Sequence, residues 1–166
     1  MANLSAAKSH MKNIKPFNGI DFPLWKEKVQ DILKFLELDY VLHTVKPLPS
    51  SSSIEIYAED YAEKMYEYQF KLEIWERDNK LAKKIIMRSI SACIRGEFYR
   101  YEDTTASGLL YLIELDHKRV CTKFLIKRLT TSRYDGHSGL ARHICNICDI
   151  AYELKSFGMD ISDSCI

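Results

Sequence analysis

Apolar residues return at helical spacing along most of this chain, with polar residues filling the intervals. Phe22, Trp25, Val29, Ile32, Leu33 and Leu36 share one face of a helix whose other side carries Glu27, Asp31 and Lys34. Pro23 suits the first turn, where a missing N–H costs nothing, and Asp21 is the expected N-cap. A short helical turn follows between Asp39 and Val45. Trp75, Ala82, Ile86, Ile90 and Cys93 fall in a narrow arc opposite Arg77, Lys84, Arg88 and Arg95, which predicts a buried helix over 75–93 with a basic back. Asn79 interrupts that arc and needs a hydrogen-bond partner or a place near its end. Upstream, residues 54–78 are acidic and tyrosine-rich, with Tyr57, Tyr61, Met65, Tyr68 and Leu72 recurring every three or four positions. Neither Pro nor Gly decides whether this stretch joins the 75–93 helix or kinks away from it.

Arg95-Gly96 is expected to end the central helix, with Gly96 in the left-handed conformation. Asp103 or Thr104 should cap the next one, which carries Leu109, Leu110, Leu112 and Ile113. Six bases and no acid lie between Lys118 and Tyr134; Arg119, Lys123 and Lys127 stand at four-residue spacing opposite Cys121, Leu125 and Leu129. After a turn at Tyr134-Asp135-Gly136, Ser138 is the expected cap of a last long helix. Its buried face should be Leu140, Ile144, Ile147, Cys148, Ala151 and Leu154, and Gly158 should stop it. Ser162 reads as the cap of a further helix, so the chain is expected to be a piece of a longer protein. The fold class is all-α, a multi-helix bundle.

Punctuation divides the chain. Residues 1–15 read as a flexible N-terminal arm with Lys8, Lys12 and Lys15 unopposed by acids. Pro47, Pro49 and the serines at 50–53 mark a hinge over 46–53, between a small N-terminal helical unit and the main bundle. Whether that unit docks on its own chain or on a neighbour's is open. A net charge of +1, from 24 basic and 23 acidic residues, means that any polyanion binding must be local. Five cysteines, an odd number, and no secretion signal point to reduced thiols and a cytoplasmic location. No apolar run approaches the roughly 20 residues of a membrane span.

Candidate chemistry is sparse. His143, Cys145 and Cys148 are metal-ligating types at close spacing, but on a helix His143 and Cys145 point apart and no second pair completes a zinc site. Glu55, Glu59, Asp60 and Glu63 read as a solvated face, and Cys93, Cys121 and Cys165 as isolated thiols without a base. There is no phosphate loop, nucleophile elbow or helical zinc motif. The expectation is no enzyme, no metal, no cofactor and no small-molecule substrate. The basic stripe of Arg119, Lys123, Lys127 and Arg128 has two readings: weak RNA phosphate contacts without a stacking aromatic among them, or a solvated face that steers contacts between subunits through the acidic 54–78 segment.

Several motifs carry a resemblance. Phe17-x-Gly19-x-Asp21-Phe22-x-x-Trp25 opens the series; Trp75-Glu76-Arg77, Ala82, Ile90-Ser91 and Ile94-Arg95-Gly96 continue it. Tyr134-Asp135-Gly136, Gly139, His143-Ile144, Asp149-Ile150-Ala151, Leu154-Lys155 and Met159-x-Ile161-Ser162-Asp163-Ser164 close it. In this order and spacing the chain resembles the Gag polyprotein of copia-type LTR retrotransposons, plant lineages especially, over nearly everything after residue 15. It departs at Ala141-Arg142, where relatives carry Arg-Glu, and after Thr105-Ala106, where Glu and Trp usually follow. The resemblance implies a retroviral-capsid-like bundle over 16–166, with Phe17, Gly19, Trp25, Trp75, Gly136, His143 and Leu154 as structural signature positions. It also implies self-association into virus-like particles around element RNA, without catalysis and without the family's Cys-Cys-His-Cys zinc knuckle. A host adaptor derived from such a Gag, binding RNA or a protein without forming shells, is the alternative.

Overall fold

A computed structural model describes residues 14–49, 58–137 and 139–159, with the side chains of 58–60 left aside. The architecture is all-α: α1 (Phe22–Phe35), α2 (Tyr40–His43), α3 (Ala58–Arg88), α4 (Ala92–Arg95), a 3-10 turn (Gly96–Tyr101), α5 (Ala106–Thr131) and α6 (Leu140–Ser156). No strand occurs among the described residues, only an isolated parallel bridge between Phe17 and Ile90. The chain divides into two compact units, one ending at Ile113 and the other beginning at Glu114, so that the boundary falls within α5. The segments on either side of residues 46–53 belong to the same unit; 50–53, like the arm residues 1–13, lie outside the described residues.

The first unit is built on α3. Phe22, Trp25, Val29, Ile32, Leu33 and Leu36 are all buried, as the α1 spacing requires, and join Trp75, Ala82, Ile85, Ile86, Leu109 and Ile113 in one core. The N-terminal helical unit therefore docks on its own chain. The core starts earlier than Phe17, since Ile14 is buried in it. Upstream of Trp75, α3 is one continuous helix with an open surface: Met65, Tyr68 and Leu72 are half-buried, whereas Tyr61, Tyr66 and Phe70 are exposed. Tyr57 lies outside the described residues.

α3 stops at Arg88, not at Cys93. The Ser89 hydroxyl donates back to the Ile86 carbonyl (2.7 Å), and the Ser89 carbonyl is claimed from outside the helix by Phe17 N–H (2.9 Å) and Trp25 Nε1–H (3.1 Å). Ser91 N–H completes the bridge by donating to the Phe17 carbonyl (2.9 Å). With those backbone groups satisfied by a distant segment, nothing holds the helical repeat, and Cys93 lands exposed on α4. Gly96 is not left-handed either: its φ is −56°, and the chain runs on into the 3-10 turn while the Arg95 guanidinium donates to the Ile90 carbonyl (2.6 Å).

Caps depart from expectation in an instructive way. Asp21 precedes α1 with φ 55° and makes no side-chain cap bond; only its carbonyl serves, accepting from Trp25 N–H (3.0 Å). Neither Asp103 nor Thr104 caps α5. Thr105 Oγ1 accepts from Gly108 N–H (3.0 Å), and Asn79 Oδ1 reaches across from α3 to accept from Ala106 N–H (2.8 Å). That is the partner Asn79 needed. Asp78, also buried, accepts from the Tyr40 hydroxyl (2.8 Å) and Arg77 Nε (2.9 Å), tying α2 to α3. Burial, then that bond to Asp78, pushes the Tyr40 phenol up to about 12.

At the end of α1, Leu38 N–H donates to the Leu33 carbonyl (2.8 Å) and Glu37 N–H to the Lys34 carbonyl (3.0 Å), the bond pair of a Schellman motif. Its left-handed position is held by Glu37 at φ 58°, which strains a residue with a Cβ. Glu37→Gly should therefore stabilise the protein by about 0.5 to 1 kcal/mol, after allowing for glycine's extra unfolded-state freedom. Urea denaturation checks this; an unchanged or lower midpoint would contradict it. α6 ends in the same motif with glycine in place: Gly158 has φ 84°, its N–H bonds to the Lys155 carbonyl (2.9 Å), and Met159 N–H bonds to the Leu154 carbonyl (3.1 Å).

Candidate functional site

The second unit carries the basic stripe. Leu125 is buried with Ile150 and Leu154, and Leu129, Phe157 and Met159 pack against them. Helical spacing then turns Arg119, Lys123 and Lys127 outward, and all three are exposed, as is Arg128. They are not equivalent. Arg119 is paired with Asp116 one turn back, and Lys118 with Glu114 (2.9 Å), whereas the Arg128 guanidinium lies over the Phe124 ring, 5.9 Å from its centroid. Phe124 is itself 60% exposed, beside Lys123. The stripe thus includes an aromatic, contrary to expectation, and Val120 (53% exposed) stands one turn before it.

The buried face of α6 is shorter than the expected one, covering the C-terminal part of the helix and not its start. Ile150, Ala151 and Leu154 are buried and Ile147 and Cys148 half-buried, but Leu140 (55%) and Ile144 (49%) remain largely exposed. Only α5 covers α6 among the described residues of this unit's core, so half of a broad apolar arc is left without a partner. Ser138 lies outside the described residues, and the position before α6 is Gly139, without a side-chain cap.

The seven positions named with the resemblance all lie among the described residues. Phe17 stacks on Trp25 (4.8 Å between centroids), Gly19 has φ 96°, and Trp75 donates from Nε1 to Thr44 Oγ1 (3.2 Å). Gly136 takes φ 77° in a turn where Asp135 Oδ1 accepts from His137 N–H (3.0 Å); His143 sits 5.6 Å from the Tyr134 ring, and Leu154 is buried. His143 and Cys145 do not converge, and no three metal-ligating side chains do so among the described residues. Cys121 is not isolated. Its Sγ lies 3.3 Å from His117 Nε2, one turn back on α5. Burial pushes the thiol up and the imidazole down, so both groups favour their neutral forms, the opposite of an activated thiolate and imidazolium.

No protein-family model matches the chain, and neither a curated protein nor a solved structure does. No helix among the described residues is long and apolar enough to cross a membrane.

Sequence reasoning missed a cavity in the first unit, of about 550 Å³, between the flank of α3 that carries Lys80, Lys83 and Lys84 and the 3-10 turn that follows α4. The helical period marks Lys84 as outward-facing, but only the fold brings Tyr99 and Tyr101 opposite it.

Proposed function

We propose that this chain is a Gag-type structural domain: it self-associates into particles that enclose RNA in the cytoplasm, and it carries out no reaction. The supporting observation is the incomplete burial of the second unit. Its hairpin of α5 and α6 has a core of a few large side chains, yet leaves Val120, Phe124, Leu140 and Ile144 about half exposed or more. Apolar residues spaced one turn apart on both helices gain free energy when a second copy covers them. Cations at the border of such a surface set orientation and attract polyanions without requiring a catalytic pocket.

Assembly is tested by light scattering and electron microscopy of the purified chain with and without RNA. Regular particles are expected. A chain that stays monomeric at high concentration would contradict the proposal and favour an adaptor of the same descent.

RNA should bind weakly and with marked salt dependence. Changing Arg119, Lys123 and Lys127 together to Glu should lower affinity, most at low salt, and should flatten the plot of log affinity against log salt by about 0.7 for each phosphate no longer neutralised. Fluorescence anisotropy with labelled RNA measures both effects. Unchanged binding would remove the stripe from the interface.

A further inference from the structure

We infer that the cavity of the first unit is a nucleotide site, which takes a planar base and its phosphate. One wall is cationic: Lys80, Lys83 and Lys84 project from α3 within residues 79–96, a stretch with five bases and no acid. The facing wall is aromatic, with Tyr99 63% exposed and Tyr101 half-buried. Trp75, Met87 and Leu109 supply an apolar lining, and the volume of about 550 Å³ lies within the range of small-ligand pockets.

The charges favour a nucleotide over bare phosphate. Glu76 is neutralised by Lys46 (2.6 Å), and Lys83 is engaged with the Glu102 carbonyl. Among the described residues that leaves Lys80 and Lys84, neighbours one turn apart, to meet an anion, while the carboxylates of Glu102 and Asp103 on the same cavity repel a dense polyphosphate. The same carboxylates accept hydrogen bonds from ribose hydroxyls or exocyclic amines. Affinity must then come from stacking on tyrosine as much as from charge, and stacking is open to a single strand or a free nucleotide but not to a closed duplex.

None of the residues that line this cavity belongs to the stripe on α5. Its test uses the full chain, in wild-type form and in the background of the α5 charge-reversal variant, with a labelled oligouridine, a duplex of equal length and free UMP as probes. Single-stranded RNA should bind more tightly than duplex, and Tyr99→Ala should weaken it about tenfold in both backgrounds. Lys80→Glu with Lys84→Glu should reduce the salt slope by about 0.7, for the one phosphate no longer neutralised. Affinity that rises with oligomer length assigns the site to a strand; saturable UMP binding with no gain from length, abolished in Tyr99→Ala, assigns it to a free nucleotide. Equal binding of duplex and single strand, or affinities indifferent to both pocket variants, would overturn the proposal. Light scattering on Tyr99→Ala, expected to assemble as wild type does, keeps this result apart from the outcome for self-association.

Discussion

Trp25→Ala should destabilise the protein by about 3 to 5 kcal/mol. The indole is buried, stacks on Phe17 (4.8 Å between centroids) and lies 5.6 Å from Phe22. Its Nε1–H also donates to the carbonyl of Ser89, where α3 ends. Truncation therefore removes a large apolar volume at a junction of three segments that cannot collapse together without breaking the Phe17–Ile90 bridge. Trp25→Phe separates the contributions: it keeps most of the packing and loses the hydrogen bond, so its cost should be distinctly smaller. Urea denaturation followed by far-UV circular dichroism gives both values. A loss below about 1 kcal/mol for Trp25→Ala would mean that the aromatic clamp does not secure the end of α3.

The second large effect concerns association rather than folding. Phe124→Asp combined with Ile144→Asp should weaken self-association about thirtyfold or more, on the scale of a missing interface anchor, roughly 2 kcal/mol. Both side chains are about half exposed or more in the single chain, so folding should change by no more than about 0.5 kcal/mol per site. That contrast is diagnostic. An apolar side chain that serves the core is costly to the fold when replaced by a charge, whereas one that serves a partner is costly only to the complex. Control substitutions at Tyr61 and Tyr66, exposed on α3 in the first unit, should leave association unaffected.

Helical periodicity carried far in this chain because each of its long elements has one face that meets water. Every residue of the expected α1 stripe is buried, and the Gly158 stop and the Tyr134-Asp135-Gly136 turn have the backbone conformations foreseen for them. What the spacing could not express is contact between segments far apart in sequence. The end of α3 is set by Phe17 and Trp25, more than sixty positions away from Ser89, and one N-terminal donor of α5 is satisfied by Asn79. Periodicity also assumes a partner wide enough to cover the whole apolar arc. Among the described residues of its core α6 has only α5 against it, so Leu140 and Ile144 stay open although their spacing reads as buried.

The candidate sites divide in the same way. The α5 stripe was legible because its cations lie on one helix at regular spacing, but its mixture with Val120 and Phe124 shows only once the buried face is fixed by Leu125. The sequence reading missed the pairing of His117 with Cys121 and left the thiol isolated, although the two lie one turn apart on a helix; the burial that holds both neutral shows only in the fold. The cavity was not legible at all: its lysines lie on α3 and its tyrosines on the 3-10 turn, two elements separated by a bridge and a short helix.

Sedimentation velocity over a wide concentration range, on the wild-type chain beside the Phe124 and Ile144 double variant, tests most directly whether this hairpin is made to be covered by another copy of itself. Wild-type sedimentation coefficients should climb with concentration while those of the variant stay at the monomer value. Two superimposable monomer profiles, or equal association in both proteins, would contradict the account.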